Sequence, residues 1–176
     1  MKIFIHFFIL LMMLPTLTIF DFHKNANLDR WNVVDDVVMG GRSNGNFFIN
    51  ENGHGVFKGN VSLENNGGFS SVRYRPESIE TQSYKSILIR LKGDGNRYQF
   101  RIKSNTQDYY SYISYFETNT DWQIIEINLK DMYPTFRGRK LDMPKYSDNQ
   151  ISEIAFLIGN KKAQDFELVI DKITLQ

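Results

Sequence analysis

Two carboxylates, Asp35 and Asp36, stand side by side ahead of Gly40-Gly41-Arg42-Ser43, and two amides, Asn65 and Asn66, stand ahead of Gly67-Gly68. A carboxylate pair could work as general acid and base or hold a hard cation such as Ca²⁺. The amides carry donors and acceptors that could read a ligand. Neighbours on a strand point to opposite faces, so Asp35 and Asp36 converge only across a bulge. The plainer role is one Asp accepting hydrogen bonds from the Gly40-Gly41 turn amides. The acidic spacing is too sparse for a calcium loop, so neither a metal nor a cofactor is expected. For Asn66-Gly67 the plainer role is a type I′ turn, which leaves the second glycine unexplained.

Arg42, Arg73, Arg97, Arg137 and Arg139 are the remaining polar candidates. Arginine pairs bidentately with carboxylates and phosphates, which suits recognition of an anion or a partner. The structural alternative is an internal pair with Asp35 or Asp36. Trp31 and Trp122 could stack on sugars, but both lie beside strand-like apolar residues, where a large aromatic is expected in the core. Strand alternation sends Tyr110 and Tyr112 one way, and Tyr109 and Tyr115 the other.

The catalytic inventory is thin. Cysteine is absent, which removes disulfides, thiolate metal sites and cysteine nucleophiles. The histidines are His6, His23 and His54, too few and too scattered for a cluster or a Ser–His triad. No Gly-x-Ser-x-Gly elbow occurs, and no amphipathic helix follows Gly40-Gly41-Arg42-Ser43-Asn44-Gly45 to receive a pyrophosphate. No catalytic residue is therefore expected. With 21 basic against 20 acidic residues, the chain lacks the positive field of a nucleic-acid binder.

The elements that must position these residues read as strands. Of 176 residues 41% are hydrophobic and 14% aromatic, enough for one packed domain rich in strand formers. Period-two alternation predicts strands at 32–38, 47–50, 55–58, 69–75, 109–117, 122–129, 151–159 and 166–175. Residues 85–104 read as a hairpin closed by Gly93-Asp94-Gly95-Asn96. Residues 133–150 are the longest irregular stretch, and loops of that length are often functional. This pattern predicts an all-β antiparallel β-sandwich of jelly-roll type. The apolar run from Ile3 behind Lys2 reads as an address. Residues 1–20 are thus expected to be a signal peptide or N-terminal membrane anchor, 21–27 a linker, and 28–176 a single domain. The first arginine is Arg30, a poor fit to a mitochondrial presequence. Export is expected, whether periplasmic, secreted or anchored, with membrane contact only through this segment.

Four blocks in order carry a family resemblance. Trp31 with Asp35-Asp36-Val37-Val38-Met39-Gly40-Gly41-Arg42-Ser43 resembles the opening motif of the complex I intermediate-associated protein 30 family. Phe57-x-Gly59 with Ser62-Leu63-Glu64-Asn65-Asn66-Gly67-Gly68-Phe69-Ser70-Ser71-Val72-Arg73 is similar to its second block. Gly93-Asp94-Gly95-x-Arg97-Tyr98 and Phe136-Arg137-Gly138-Arg139 are similar to its third and fourth. The resemblance implies a galactose-binding-domain-like β-sandwich. The family's best-known members are mitochondrial assembly factors for the NADH–ubiquinone oxidoreductase that act as chaperones rather than catalysts. The expectation is a non-catalytic binding domain with an unidentified protein partner, presenting the glycine-pair loops and residues 137–139. The alternative is a carbohydrate-binding module with a glycan ligand, and a third reading is a glycan-active enzyme using Asp35 or Asp36.

Overall fold

The computed structural model describes residues 15–176. The part of the expected leader at residues 1–14 lies outside them. In chain order the strands are β1 (Leu17–Asp21), β2 (Trp31–Asp35), β3 (Asn44–Ile49), β4 (Gly55–Val61), β5 (Ser70–Tyr74), β6 (Ile79–Glu80), β7 (Ser86–Lys92) and β8 (Arg97–Lys103). Then come β9 (Ser111–Glu117), β10 (Gln123–Asn128), β11 (Tyr133–Phe136), β12 (Arg139–Lys140), β13 (Gln150–Ile151), β14 (Glu153–Ile158) and β15 (Gln164–Leu175). The first sheet runs β10-β7-β15-β4-β3, with β1 also on β15, and the second runs β12-β11-β9-β8-β14-β5-β2. Strands β6 and β13 form a small ribbon. Every pairing is antiparallel, as the alternating sequence predicts.

The core lies between the two sheets. Phe57, Ile87, Ile89, Leu91, Leu168 and Ile170 come from the first, and Val72, Tyr98, Phe100, Ile102, Ile154 and Phe156 from the second, all fully buried. Each such side chain contributes about 1.5–3 kcal/mol through apolar burial. On β8 the alternation leaves Arg97, Gln99, Arg101 and Lys103 facing outward, and that outer face becomes the site described below.

Several boundaries differ from expectation. β1 pairs with β15 from Leu17↔Leu175 to Asp21↔Lys172, and Phe22 is buried, so the sandwich starts well before residue 28. The expected leader and linker therefore supply packed residues. Phe20 and Phe22 lie 5.3 and 5.4 Å from the ring of Trp31, which also meets Phe47 and Tyr74 at 4.8 Å. Trp31 is core, as the sequence suggests. The hairpin expected over 85–104 is instead an arch, because β7 lies in the first sheet and β8 in the second. Both strands still turn their apolar faces to one interior, which is why periodicity cannot separate hairpin from arch. Asp94 pins the corner, accepting from Glu167 N (2.8 Å), Asn96 N (3.0 Å) and Tyr98 Oη (3.1 Å). The strand expected over 32–38 ends at Asp35, where a 3-10 turn, Asp36–Met39, begins. The stretch 133–150 contains the β11–β12 hairpin, turned at Arg137 and Gly138 with φ of +47° and +75°.

Candidate functional site

The two aspartates sit at the end of β2, and both accept hydrogen bonds there. Asp36 is buried. It accepts from Ser43 N (2.9 Å), Ser43 Oγ (2.5 Å), Gly68 N (2.5 Å) and Phe69 N (3.2 Å). Burial pushes its pKa up, but these four hydrogen bonds outweigh burial and hold it below the ordinary value. Asp35 accepts from Gly45 N (2.9 Å) and Ser70 Oγ (2.5 Å). The carboxylates hold the Gly40-Gly41-Arg42-Ser43 loop against the Asn65-Asn66-Gly67-Gly68 loop. They form a structural clasp, with Asp36 buried under four hydrogen bonds and Asp35 tied to β3 and β5, which leaves the reading of Asp35 or Asp36 as catalytic acids without support. Among the described residues no group of three or more acidic or histidine side chains could hold a metal.

The clasp explains the glycine pairs. A Cβ on Gly67 would meet Asp36 Oδ2 at 2.6 Å, so the carboxylate requires a bare Cα there. Gly40 and Gly68 take φ of +90° and +138°. The tight turn falls one residue earlier than expected: Asn65 and Asn66 are left-handed, and Gly67 N donates to Glu64 O at 2.9 Å. It carries the chain from β4 in one sheet to β5 in the other rather than closing a hairpin. Both Asn side chains are exposed.

The arginines scatter. Arg42 pairs with Glu64 at 3.0 Å across the exposed rim of the clasp. The Arg97 guanidinium lies 4.6 Å over Tyr115, and that of Arg137 lies 5.3 Å over Phe136. Arg139 is exposed on β12. None pairs with Asp35 or Asp36. Trp122, expected in the core, is half-buried on the outer face of the first sheet, with Arg90 4.4 Å above its ring and His54 at 4.8 Å.

Arg73 leads to a site that sequence reasoning missed. The outer face of the second sheet forms a cleft of about 450 Å³. Register places Arg73 (β5), Ala155 (β14) and Arg101 (β8) in one row, continuing to Ile113 and Tyr133. The next row carries Ser71, Leu157, Gln99 and Tyr115. Tyr109 and Phe136 form a wall, their rings edge-to-face at 5.3 Å, and Tyr109 is 62% exposed. Arg137, Gly138 and Gly68 close the cleft, so of the predicted candidates Gly68, Arg73 and Arg137 line it.

Polar bonds set the floor. Arg101 Nε donates to Gln99 Oε1 (3.0 Å), and Gln99 Nε2 donates to Tyr115 Oη (3.1 Å). Lys103 Nζ donates to the Asp108 carbonyl. Arg75 Nε donates to Glu153 Oε2 at 2.8 Å, and Glu153 is buried. Burial, and then the charge of Arg73, lower the pKa of Arg101. Among the described lining residues Glu153 is the one carboxylate. The face can hold acceptor-rich ligands, and it lacks the two carboxylates of a glycosidase. The signal that could have found it was the alternation Arg97, Gln99, Arg101, Lys103, which reads equally well as solvated surface.

The fold matches solved carbohydrate-binding modules. It superposes on the family 11 module of a Clostridium thermocellum cellulosomal cellulase with a TM-score of 0.71 and 16% identity, over 93% of this chain and 95% of that one. The same family's module in complex with a β-1,3-1,4-mixed-linked tetrasaccharide gives 0.69 and 18%, over 91% and 94%. The domain is a galactose-binding-like β-sandwich. The chain belongs to the complex I intermediate-associated protein 30 (CIA30) family, whose model matches residues 20–170. "Complex I intermediate-associated protein 30, mitochondrial" of Drosophila melanogaster is 25% identical over 183 residues, 90% of this chain and 62% of that protein. Its namesake in Mus musculus is 25% identical over 179 residues, 88% of this chain and 54% of that protein. The chain thus spans 62% and 54% of the length of these relatives. Their mitochondrial names overturn the expectation of export. Of the residues 1–20 read as an address, 17–20 belong to β1, where Ile19 packs into the core.

Proposed function

We propose that the chain is a non-catalytic binding domain that serves assembly of the NADH–ubiquinone oxidoreductase in mitochondria, engaging a partner protein through the cleft of the second sheet. The observation that carries this reading is Arg73 and Arg101 facing an aromatic-walled recess, neither with a carboxylate partner among the described residues. Family membership and the relatives' names support the assembly setting. Asp35, Asp36, Gly40, Gly41, Ser43, Asn65, Asn66 and Gly67 then act as the frame at one end of the cleft. Arg73 and Arg137 contact the partner, and Arg42, Arg97 and Arg139 lie on the rim. The test is a photo-crosslinking side chain at Tyr109, with one at Trp122 on the opposite sheet as control. Adducts with a subunit of a complex I intermediate from position 109 alone are expected. Equal adducts from both positions, or none from 109, refute the assignment.

A second reading, a glycan ligand, is favoured by the exposed rings of Tyr109 and Tyr115 beside Gln99. Aromatic faces with adjacent amides suit sugar rings. Calorimetry with a mixed-linked β-glucan tetrasaccharide tests it, and binding lost in Tyr109→Ala would establish it over the protein partner.

A further inference from the structure

We propose that the cleft floor is an anion seat in which Arg73 and Arg101 bind carboxylates of an acidic, extended segment of the partner protein. This rests on the cleft being the docking face.

The charge distribution is the first ground. Arg73, Arg101, Lys103 and Arg137 line the cleft with Glu153, four cations against one carboxylate, in a protein whose whole net charge is +1. Glu153 is taken by Arg75. Lys103 donates to a neutral carbonyl and has no ion pair among the described residues. Arg73 and Arg101 have no ion pair among the described residues, and Arg101 uses only Nε internally, toward a neutral amide. The edge of its guanidinium suited to a bidentate carboxylate stays unengaged. Like charges on one face that form no ion pair oppose folding unless something external answers them. Burial of Arg101 and its repulsion by Arg73 show in the depressed pKa.

Geometry selects the occupant. Arg73 and Arg101 flank Ala155 two strands apart, a backbone separation of about 10 Å. The small Ala155 side chain leaves the space between them open. Cations so spaced answer several single charges along a chain better than one dense phosphate. On an extended peptide, residues i and i+2 share a face about 7 Å apart, within reach of two flexible arginines. Tyr109, Phe136 and Leu157 also line the cleft, an apolar surface for the stems and backbone of such a peptide that a free inorganic anion would not need.

The test uses the intact protein and three calorimetric probes: hexaglutamate peptide, hexaglutamine peptide and inorganic phosphate. Hexaglutamate is expected to bind, to weaken tenfold or more in Arg101→Gln and in Arg73→Gln, and to weaken as salt rises. Hexaglutamine is expected to show no binding. Arg101→Lys, which keeps the charge, is expected to retain part of the affinity and controls for folding. Absence of hexaglutamate binding overturns the seat, as does hexaglutamate binding in either Gln variant as tight as in the unsubstituted protein. Phosphate binding with hexaglutamate silent overturns the peptide occupant. Adducts from position 109 that persist in Arg73→Gln and Arg101→Gln would sink the seat and leave the docking face standing; loss of adducts in the unsubstituted protein would sink the docking face itself.

Discussion

The carboxylate of Asp36 occupies the space a side chain on Gly41 would need: a Cβ there would lie 2.2 Å from Oδ1. Glycine at 41 and the buried acid at 36 are two halves of one contact. Gly41→Ala is expected to cost about 1–3 kcal/mol, as over-packing of a filled site does. Asp36→Ala would strand the amides of Ser43, Gly68 and Phe69 and cost about 2–4 kcal/mol. Urea denaturation of both variants measures this, and an unchanged midpoint in either refutes the clasp.

The same acid gives a pH dependence with a fixed sign. The folded-state pKa of Asp36 is depressed, below an unfolded value of about 3.9. Its contribution is therefore complete above the unfolded pKa and disappears as pH falls through the folded one. Stability of the unsubstituted protein should decline below about pH 4. Asp36→Asn should be less stable at neutral pH and show a shallower acid decline. Parallel declines in the two proteins would mean that other groups carry the acid sensitivity.

The sandwich was legible because Tyr98, Phe100 and Ile102, like Ile87, Ile89 and Leu91, alternate with polar residues, and alternation marks a half-buried strand wherever its partner lies. Pairing was not legible for the same reason. The arch at Gly93-Asp94-Gly95-Asn96 satisfies the pattern as well as a hairpin does. The glycine pairs stand out in the sequence, but the buried Asp36 that packs against Gly41 and Gly67 does not. The cleft escaped notice because it assembles from strands distant in sequence: Arg73, Ala155 and Arg101 become neighbours only through register. Nothing local distinguishes outward Arg101 from a solvated arginine.

Phe22 tests where the domain begins. It is buried against Trp31 and Phe20 and would meet any side chain placed on Gly55. Were residues 21–27 a linker, Phe22→Ala would be silent. Packed as it is, the substitution is expected to cost about 3–5 kcal/mol and to lower the thermal midpoint by many degrees, measured by calorimetry. A shift within error returns this segment to the status of a connector.

Glu153 and Arg73 make opposite predictions on one face. Glu153→Gln leaves Arg75 without its partner and removes a negative charge that favours the charged forms of Arg101 and Lys103. Glu153 is buried while the Arg75 side chain is 55% exposed, so solvent screens part of the loss and about 1–2 kcal/mol of destabilisation is expected. Arg73→Gln removes a repelling charge that makes no ion pair among the described residues, and stability should stay level or rise by up to about 1 kcal/mol. Combining the two should recover part of the Glu153→Gln loss, because the second change relieves the excess charge left by the first. Denaturant melts of the two single variants and the double variant close the cycle. A residue retained at neutral or negative value to the fold is one whose role lies in contact with something else. If Arg73→Gln instead destabilises the domain by more than 1 kcal/mol, Arg73 serves packing, and the case for recognition at this face must rest on Arg101 alone.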